Sequence, residues 1–448
     1  MTHKIKGKKV TVVGMGKSGL SAAALLAKEG AEVLIVDDNA LKAPLPLASG
    51  IQFKHGGWNE ADLMDAEFVV LSPGVPRSKL PIEVLEKAGI PLISEIELAA
   101  SRISAPIIAI TGTNGKSTTT TLVGQILKNW GLNVFVGGNL GLPLSEAVNT
   151  DWDFVVAELS SFQLESMQAF RPRIAALLNI TPDHLNRYDS FQNYQETKWR
   201  IFENQHPDDH AIFNRDDPLT LPPTYSADAV YFSKNHALDR GVYLQDGIIK
   251  STIWGDAEDI CRLEDIKGGA GHHIENALAA CAITQLCGCA NKGITQSLRT
   301  FKGLPHRMEF IRTHAGVHYV NDSKGTNVGA LKQSLESMPK AVILIAGGRD
   351  KAADFSTLQK VIQKKVKHLF LIGEARHKMA ACFSDHPALE TIDSSDGMKA
   401  MEIALSRAAA TARSGETVLL SPGCASFDMF QSYEARGNGF KTLVEALP

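Results

Sequence analysis

Residues 107 to 127 read IIAITGTNGKSTTTTLVGQIL. Ile107, Ile108 and Ile110 form an apolar, β-branched run that ends at Thr111 and Gly112, and apolar residues return at helical spacing as Leu122, Val123, Ile126, Leu127 and Trp130. The stretch is therefore a strand, a glycine loop and a helix, the arrangement in which backbone N–H groups at a helix start meet phosphate. Gly112, Thr113, Asn114, Gly115, Lys116, Ser117 and Thr118 supply bare backbone, one cation for a phosphate chain and hydroxyls for an accompanying metal. The usual spacing GxxxxGK[ST] requires glycine at 110, where the chain has Ile110, so this is a shorter form, GTNGKST. An ordinary strand-to-helix turn would leave the adjacent Lys-Ser-Thr without a role.

Similar strand-like runs followed by helical patterns occur through the chain, as KKVTVVGMG, AEVLIVDD, EFVVLSPG, DFVVAELSS, IAALLNIT, AVILIAGG, HLFLIGEA and TVLLSPG. Continuous rather than alternating apolar strands, separated by helix-length segments, predict an α/β fold of mostly parallel sheets covered on both faces. A chain of 448 residues is too long for one ordinary core. Boundaries near Glu95 and Gly303 divide it into residues 1–95, 96–303 and 304–448. The net charge of −3 excludes a general electrostatic partnership with nucleic acid. The first residues do not read as a signal peptide, and no apolar run approaches the roughly 18 residues of a membrane span. A cytoplasmic protein with reduced cysteines is expected, and nothing in the sequence demands more than a monomer.

VTVVGMGKSGLSAA satisfies GxGxxG after a strand and before a helix, and the next strand ends at Asp37, 18 residues after Gly19. This is a Rossmann-like fingerprint. The same geometry cradles any diphosphate, so a UDP-linked substrate fits as well as NAD, and close helix packing alone would also call for these glycines. The strand DFVVAE delivers Glu158 at its carboxyl end, where a carboxylate holds Mg²⁺ or merely meets solvent. VVLSPG (69–74) and VLLSPG (418–423) both run a strand into Ser-Pro-Gly, through shared turn chemistry or because two strand ends face ligands.

GTNGKST, ELSSFQLE, NITPDHLNRY, YQETKWRIFENQ, GLPHRMEF, NDSKGTN, AGGRDKAADF and LLSPGCASFDMFQSYEARGNGF occur in the order seen in the muramyl peptide ligases. The chain resembles that family over nearly its whole length. The C-terminal SPxxASFD…RG run and the N-terminal fingerprint together match its D-glutamate-adding branch. The resemblance implies three α/β domains: N-terminal Rossmann-like, central P-loop ATPase and C-terminal Rossmann-like. The implied reaction is ATP-driven amide synthesis between UDP-N-acetylmuramoyl-L-alanine and D-glutamate through an acyl phosphate, with the GLPH connector as hinge. Two anions must approach each other, so cations and metal have to neutralise them first.

By the same resemblance, Lys116 lies along the phosphates, Ser117 and Glu158 hold one Mg²⁺, and His184 and Lys198 serve a second. Lys198 matches the family's carbamylated lysine, whose added CO₂ turns a donor-only cation into a carboxylate-like ligand. Asn276 is implied near adenine, with Arg307 and Asp322 toward phosphate and ribose. Lys17, Ser18, Asp37, Ser72 and Gly74 are implied at the UDP end, with Asn139 meeting the same substrate. His184, Lys324, Thr326, Lys351, Ser426, Phe427 and Tyr433 match residues that receive D-glutamate. The chain departs from the family at His273, where relatives carry asparagine. A sibling ligase adding another amino acid, a nicotinamide-dependent oxidoreductase and a nucleotide-gated regulator are the alternatives; the oxidoreductase leaves the GTNGKST loop, Glu158 and NDSK idle, whereas the glycine loop would suffice for the regulator.

Overall fold

The structure, a computed structural model, describes residues 5–38, 49–184, 187–266 and 274–448. Strands β1 (Lys9–Val13), β2 (Glu32–Asp37), β3 (Ile51–His55), β4 (Phe68–Leu71) and β5 (Leu92–Ser94) form a parallel sheet in the order β3-β2-β1-β4-β5. The order reverses between β1 and β4, which opens a crevice at the carboxyl ends of those strands. Gly19 serves packing there: a Cβ on it would stand 2.0 Å from the Gly14 carbonyl oxygen, so only glycine lets the helix Lys17–Lys28 start this close to β1.

The central sheet contains β6 (Ile107–Thr111), β7 (Val134–Gly138), β8 (Phe154–Glu158), β9 (Ile174–Leu177), β10 (His210–Asn214), β11 (Asp228–Ser233), β12 (Gly241–Gln245), β13 (Ile248–Ser251) and β14 (Glu258–Arg262). Its order is β14-β13-β12-β11-β10-β9-β6-β8-β7. Every residue of β6 and β9 is buried, as their unbroken apolar runs predict. The antiparallel extension β12-β13-β14 is absent from the sequence reading. Its cue was available in YLQDGIIK, because Asp246 and Gly247 take the positive φ values of 52° and 73° that a tight hairpin needs.

In the C-terminal region β15 (Glu309–His314), β16 (Val317–Asn321), β17 (Val342–Gly347), β18 (Val366–Ile372), β19 (Leu389–Thr391) and β20 (Thr417–Leu420) are ordered β15-β16-β20-β17-β18-β19. All pairs but β15-β16 are parallel. Alternation along β17 sends Leu344 and Ala346 into one core and Ile343 and Ile345 into the other, so helices cover both faces. The fold is thus α/β with three mostly parallel sheets. It forms two compact units: Met1–Ile180, Ser190–Arg262 and Glu275–Leu298 make the first, and Thr181–Asp189, Leu263–Ile274 and Arg299–Pro448 the second. No described helix is long and apolar enough to cross a membrane.

Within the first unit the helix Glu95–Ala100 joins the first two sheets. Ser94 caps it by accepting the Glu97 N–H at 3.1 Å, and the Glu97 carboxylate accepts the N–H groups of Gln168, Ala169 and Phe170. Glu95 is only 1 % exposed, and its Oε1 accepts the Ser145 N–H at 2.6 Å. Burial pushes its carboxyl up from 4.5 to about 7, against the opposing hydrogen bonds from Ser145. Between those values the folded chain keeps a proton that the unfolded chain has released, so this group removes stability as pH rises through that window. Glu95→Gln is therefore expected to be more stable than the parent at about pH 8, by up to about 3 kcal/mol, with the gain fading toward pH ~4.5. Urea unfolding at the two pH values measures the difference.

Candidate active site

The glycine loop follows β6 and opens the helix Lys116–Asn129. Gly112 has φ 151° and Gly115, the residue preceding the helix, has φ 84°, a left-handed conformation that favours glycine. No side chain caps this helix, which leaves its positive end to a ligand. The Lys116 ammonium folds back over the loop, donating to the carbonyls of Gly112 and Thr113, each at 2.8 Å. Asn179 clasps the loop from the end of β9: its Oδ1 accepts the Asn114 N–H at 2.8 Å and its Nδ2 donates to the Asn114 carbonyl at 3.1 Å. Thr113 Oγ1 lies 3.0 Å from the Tyr194 hydroxyl.

Glu158 ends β8 and pairs in register with Ile110, two residues before Gly112. It is 2 % exposed; Oε1 accepts from Asn139 Nδ2 at 2.7 Å, while Oε2 is buried without a hydrogen-bond partner. An orphaned carboxylate oxygen beside an uncapped glycine loop suits a metal ion accompanying a nucleotide triphosphate. Ser117 and Thr118 are buried in the first turn of the helix. Lys198 is buried too, with Nζ donating to the Gly112 carbonyl at 2.9 Å and standing 4.8 Å from the centre of the Tyr194 ring. Lys198 is therefore not a solvated surface lysine, although it lies on a helix of mostly polar sequence. Asn276 stands against the loop: its Oδ1 receives the Thr119 hydroxyl at 3.3 Å, and a Cβ on Gly115 would come within 2.2 Å of it. Among the described residues no group of three or more His, Cys, Asp and Glu is placed to hold a metal ion alone. His273 lies outside the described residues.

At the first crevice Asp37 Oδ2 accepts the Met15 N–H at 2.6 Å, tying the ends of β1 and β2. Lys17 and Ser18 occupy the first turn of a helix that no side chain caps. Ser72 is buried at the end of β4 against Gly14, and Gly74 is exposed in the following turn. Asn139 is exposed on the loop after β7, in the central domain.

In the second unit a cavity of about 410 Å³ is lined by His184, Thr326 and Lys351, together with Asp183, Asn327 and Arg349. Its size is that of a small-molecule site. Asp183 organises it: Oδ1 accepts the His184 N–H at 2.8 Å and lies 3.7 Å from Lys351 Nζ, and Oδ2 accepts from Asn327 Nδ2 at 3.1 Å. His184 and Ala352 both carry positive φ values, 55° and 58°, a strain that such sites concentrate. Lys324, Ser426, Phe427 and Tyr433 are not in this lining. Lys324 Nζ sits 3.7 Å over the Tyr433 ring, Ser426 is buried, and Phe427 is 63 % exposed.

Asp322 is buried, with Oδ2 accepting from Ser334 and Ser421 at 2.7 Å each and Oδ1 from the Met308 N–H at 3.3 Å. Burial pushes its carboxyl up to about 6, and Arg307 opposes the shift by its charge. Ser421, the second of the two Ser-Pro-Gly serines, thus donates to a protein carboxylate, while Ser72 packs against Gly14. Arg436 is fully buried and donates to the Ser323 hydroxyl and carbonyl and to the carbonyls of Cys424 and Ala425. It binds the NDSK and SPGCAS loops together. Sequence reading gave no role to Asn179, Tyr194, Asp183 or Arg436. All four lie inside quoted motifs, but their partners are distant along the chain.

The chain matches the Mur ligase MurD-like N-terminal domain over residues 8–94, the Mur ligase middle domain over 110–284 and the Mur ligase glutamate ligase domain over 306–424. It is 42% identical over 451 residues to the UDP-N-acetylmuramoylalanine–D-glutamate ligase of Pelotomaculum thermopropionicum, covering 98% of both chains. It is 43% identical over 456 residues to that of Geotalea daltonii, covering 99% of this chain and 98% of the relative. Among solved structures its fold is similar to a pseudomurein peptide ligase type C from Methanothermus fervidus, with TM-score 0.63, 20% identity and coverage of 98% and 99%. The MurF ligase of Thermotoga maritima in complex with ADP gives TM-score 0.59 at 18% identity, with coverage of 99% and 96%.

Proposed function

The chain belongs to the Mur ligase family, and on that premise we propose that it is an ATP-dependent ligase joining D-glutamate to UDP-N-acetylmuramoyl-L-alanine in peptidoglycan precursor synthesis. The observation that carries the reading is Glu158: a buried carboxylate oxygen without a partner, in register with the strand that delivers the glycine loop. The substrate carboxylate attacks the γ-phosphorus of ATP, releasing ADP and leaving an acyl phosphate. The amine of D-glutamate then attacks the acyl carbon, releasing phosphate and a proton.

The chain's own residues supply the electrostatics. Lys116 exchanges its two loop carbonyls for phosphate oxygens, and the uncapped helix start adds its partial positive charge. Mg²⁺, when bound by Ser117 and Glu158, neutralises phosphate charge. Lys198, carrying a carbamate, and His184 are assigned to a second ion; the burial of the Lys198 amine beside the loop backbone supports that assignment. Asn276, Arg307 and Asp322 are assigned to ATP, and the crevice residues Lys17, Ser18, Asp37, Ser72 and Gly74, with Asn139, to the sugar nucleotide. His184, Thr326 and Lys351 receive the carboxylates of D-glutamate in the cavity they line, assisted by Lys324, Ser426, Phe427 and Tyr433. The protein is assigned to the cytoplasm, as a monomer.

Incubation with ATP, Mg²⁺, UDP-N-acetylmuramoyl-L-alanine and a panel of amino acids tests this. Phosphate release with D-glutamate alone is the expected result. Release with L-alanine or a diamino acid instead would assign the chain to a sibling reaction, and nucleotide turnover indifferent to every amino acid would sink the ligase reading.

A further inference from the structure

The loop from Asn139 to Ala147 is held at both ends by buried carboxylates. At its start the Asn139 N–H donates to the Glu158 carbonyl at 2.8 Å and its Nδ2 to Glu158 Oε1 at 2.7 Å. At its end the Ser145 N–H donates to Glu95 Oε1 at 2.6 Å, within the 3₁₀ turn Leu144–Ala147. Just before the loop the Gly138 N–H closes on the Leu142 carbonyl at 2.7 Å. Glu95 and Glu158 share one pattern: each gives Oε1 to the loop and keeps Oε2 buried with no hydrogen-bond partner. A carboxylate taken out of water and left half-satisfied costs free energy, so its retention asks for a reason. The proposed metal accounts for Glu158 and leaves Glu95 unexplained.

The turn that Glu95 grips is also tied to the first crevice. The Ser145 hydroxyl donates to Ser21 Oγ at 2.7 Å, and the Ser21 hydroxyl donates to Glu146 Oε1 at 2.6 Å. Ser21 lies on the helix Lys17–Lys28, whose first turn faces the crevice. The turn Leu144–Ala147 is therefore where the crevice helix, the helix carrying Glu95 and the Asn139 loop meet. The loop has little slack near its origin, since a Cβ on Gly137 would fall 2.5 Å from the Leu142 carbonyl oxygen.

We propose that Glu95 is a positioning residue for the sugar-nucleotide substrate: its charge-assisted bond to the Ser145 N–H keeps the Asn139 loop in register with the crevice helix, so that one substrate molecule reaches both. The proposal rests on the functional reading above and adds a residue to it. An anionic acceptor forms a bond roughly twice as strong as a neutral one, so Glu95→Gln keeps the shape and weakens this one bond to the Ser145 N–H, while the loss of the buried charge stabilises the fold as a whole. At about pH 8, Glu95→Gln is expected to raise KM for UDP-N-acetylmuramoyl-L-alanine about five-fold, with kcat and the KM values for ATP and D-glutamate within about two-fold of the parent.

Glu95→Ala, which removes the acceptor altogether, is expected to raise the same KM further; should it fail to fold by circular dichroism, Glu95→Gln alone decides. An unchanged KM in Glu95→Gln, or an equal loss toward all three substrates, overturns the proposal and returns Glu95 to a structural role. A parent enzyme without turnover on this substrate would sink the functional reading, and this inference with it.

Discussion

Lys116→Ala is expected to lower kcat/KM for the ligation by about 10³-fold, with the melting temperature little changed. The ammonium of Lys116 is held over the glycine loop by two carbonyls of that loop, each at 2.8 Å. Those are weak, exchangeable partners in the place where a phosphate chain would lie. When the triphosphate arrives, the cation moves a short way from neutral acceptors to charged ones, so little reorganisation opposes it. Alanine removes the charge, and the Gly112 carbonyl keeps the Lys198 amine as a donor at 2.9 Å. Lys116→Arg is expected to fail as well, since a planar fork cannot converge on the same point as a compact ammonium. Phosphate release gives the rate, and calorimetric titration with ADP the binding. Activity within ten-fold of the parent would remove Lys116 as the phosphate cation, and with it the main electrostatic element of the proposed chemistry.

A loss of comparable size is expected for Lys198→Ala, with partial recovery in an excess of a short carboxylic acid. Lys198 is 1 % exposed, and its amine sits beside the Gly112 backbone and the Tyr194 ring. An ammonium has donors only and cannot ligate a metal, whereas a carbamate on the same nitrogen offers two acceptor oxygens. Truncation to alanine opens space in which a small carboxylate can place those oxygens without the covalent link. Recovery should therefore depend on the size of the added acid and should be absent in the parent. A ¹³C carbonyl resonance that appears in the parent under labelled CO₂ and is missing in Lys198→Ala would give a second readout independent of turnover. Full activity in the unrescued variant would take Lys198 out of the metal site.

The α/β class, the glycine loop and the first crevice were legible because each is a property of contiguous residues. Unbroken apolar runs mark strands buried on both faces, as in β6 and β9, and a glycine at a positive φ marks a turn that other residues avoid. The extension β12-β13-β14 was not read, although Asp246-Gly247 signalled its hairpin. Its strands are only partly buried, so they lack the continuous apolar runs by which the others were read.

What the sequence determined by itself is therefore local: where strands end, which loops have bare backbone for phosphate, and which residue types wait at those ends. What the tertiary structure decided is which of those residues are committed to one another. Glu95 meets Ser145 across 50 positions, Arg436 meets Ser323 across 113, and Asp322 meets Ser421 across 99. The physical reason is that a polar group taken out of water must find partners in space rather than along the chain, and no periodicity of the sequence records which ones it finds.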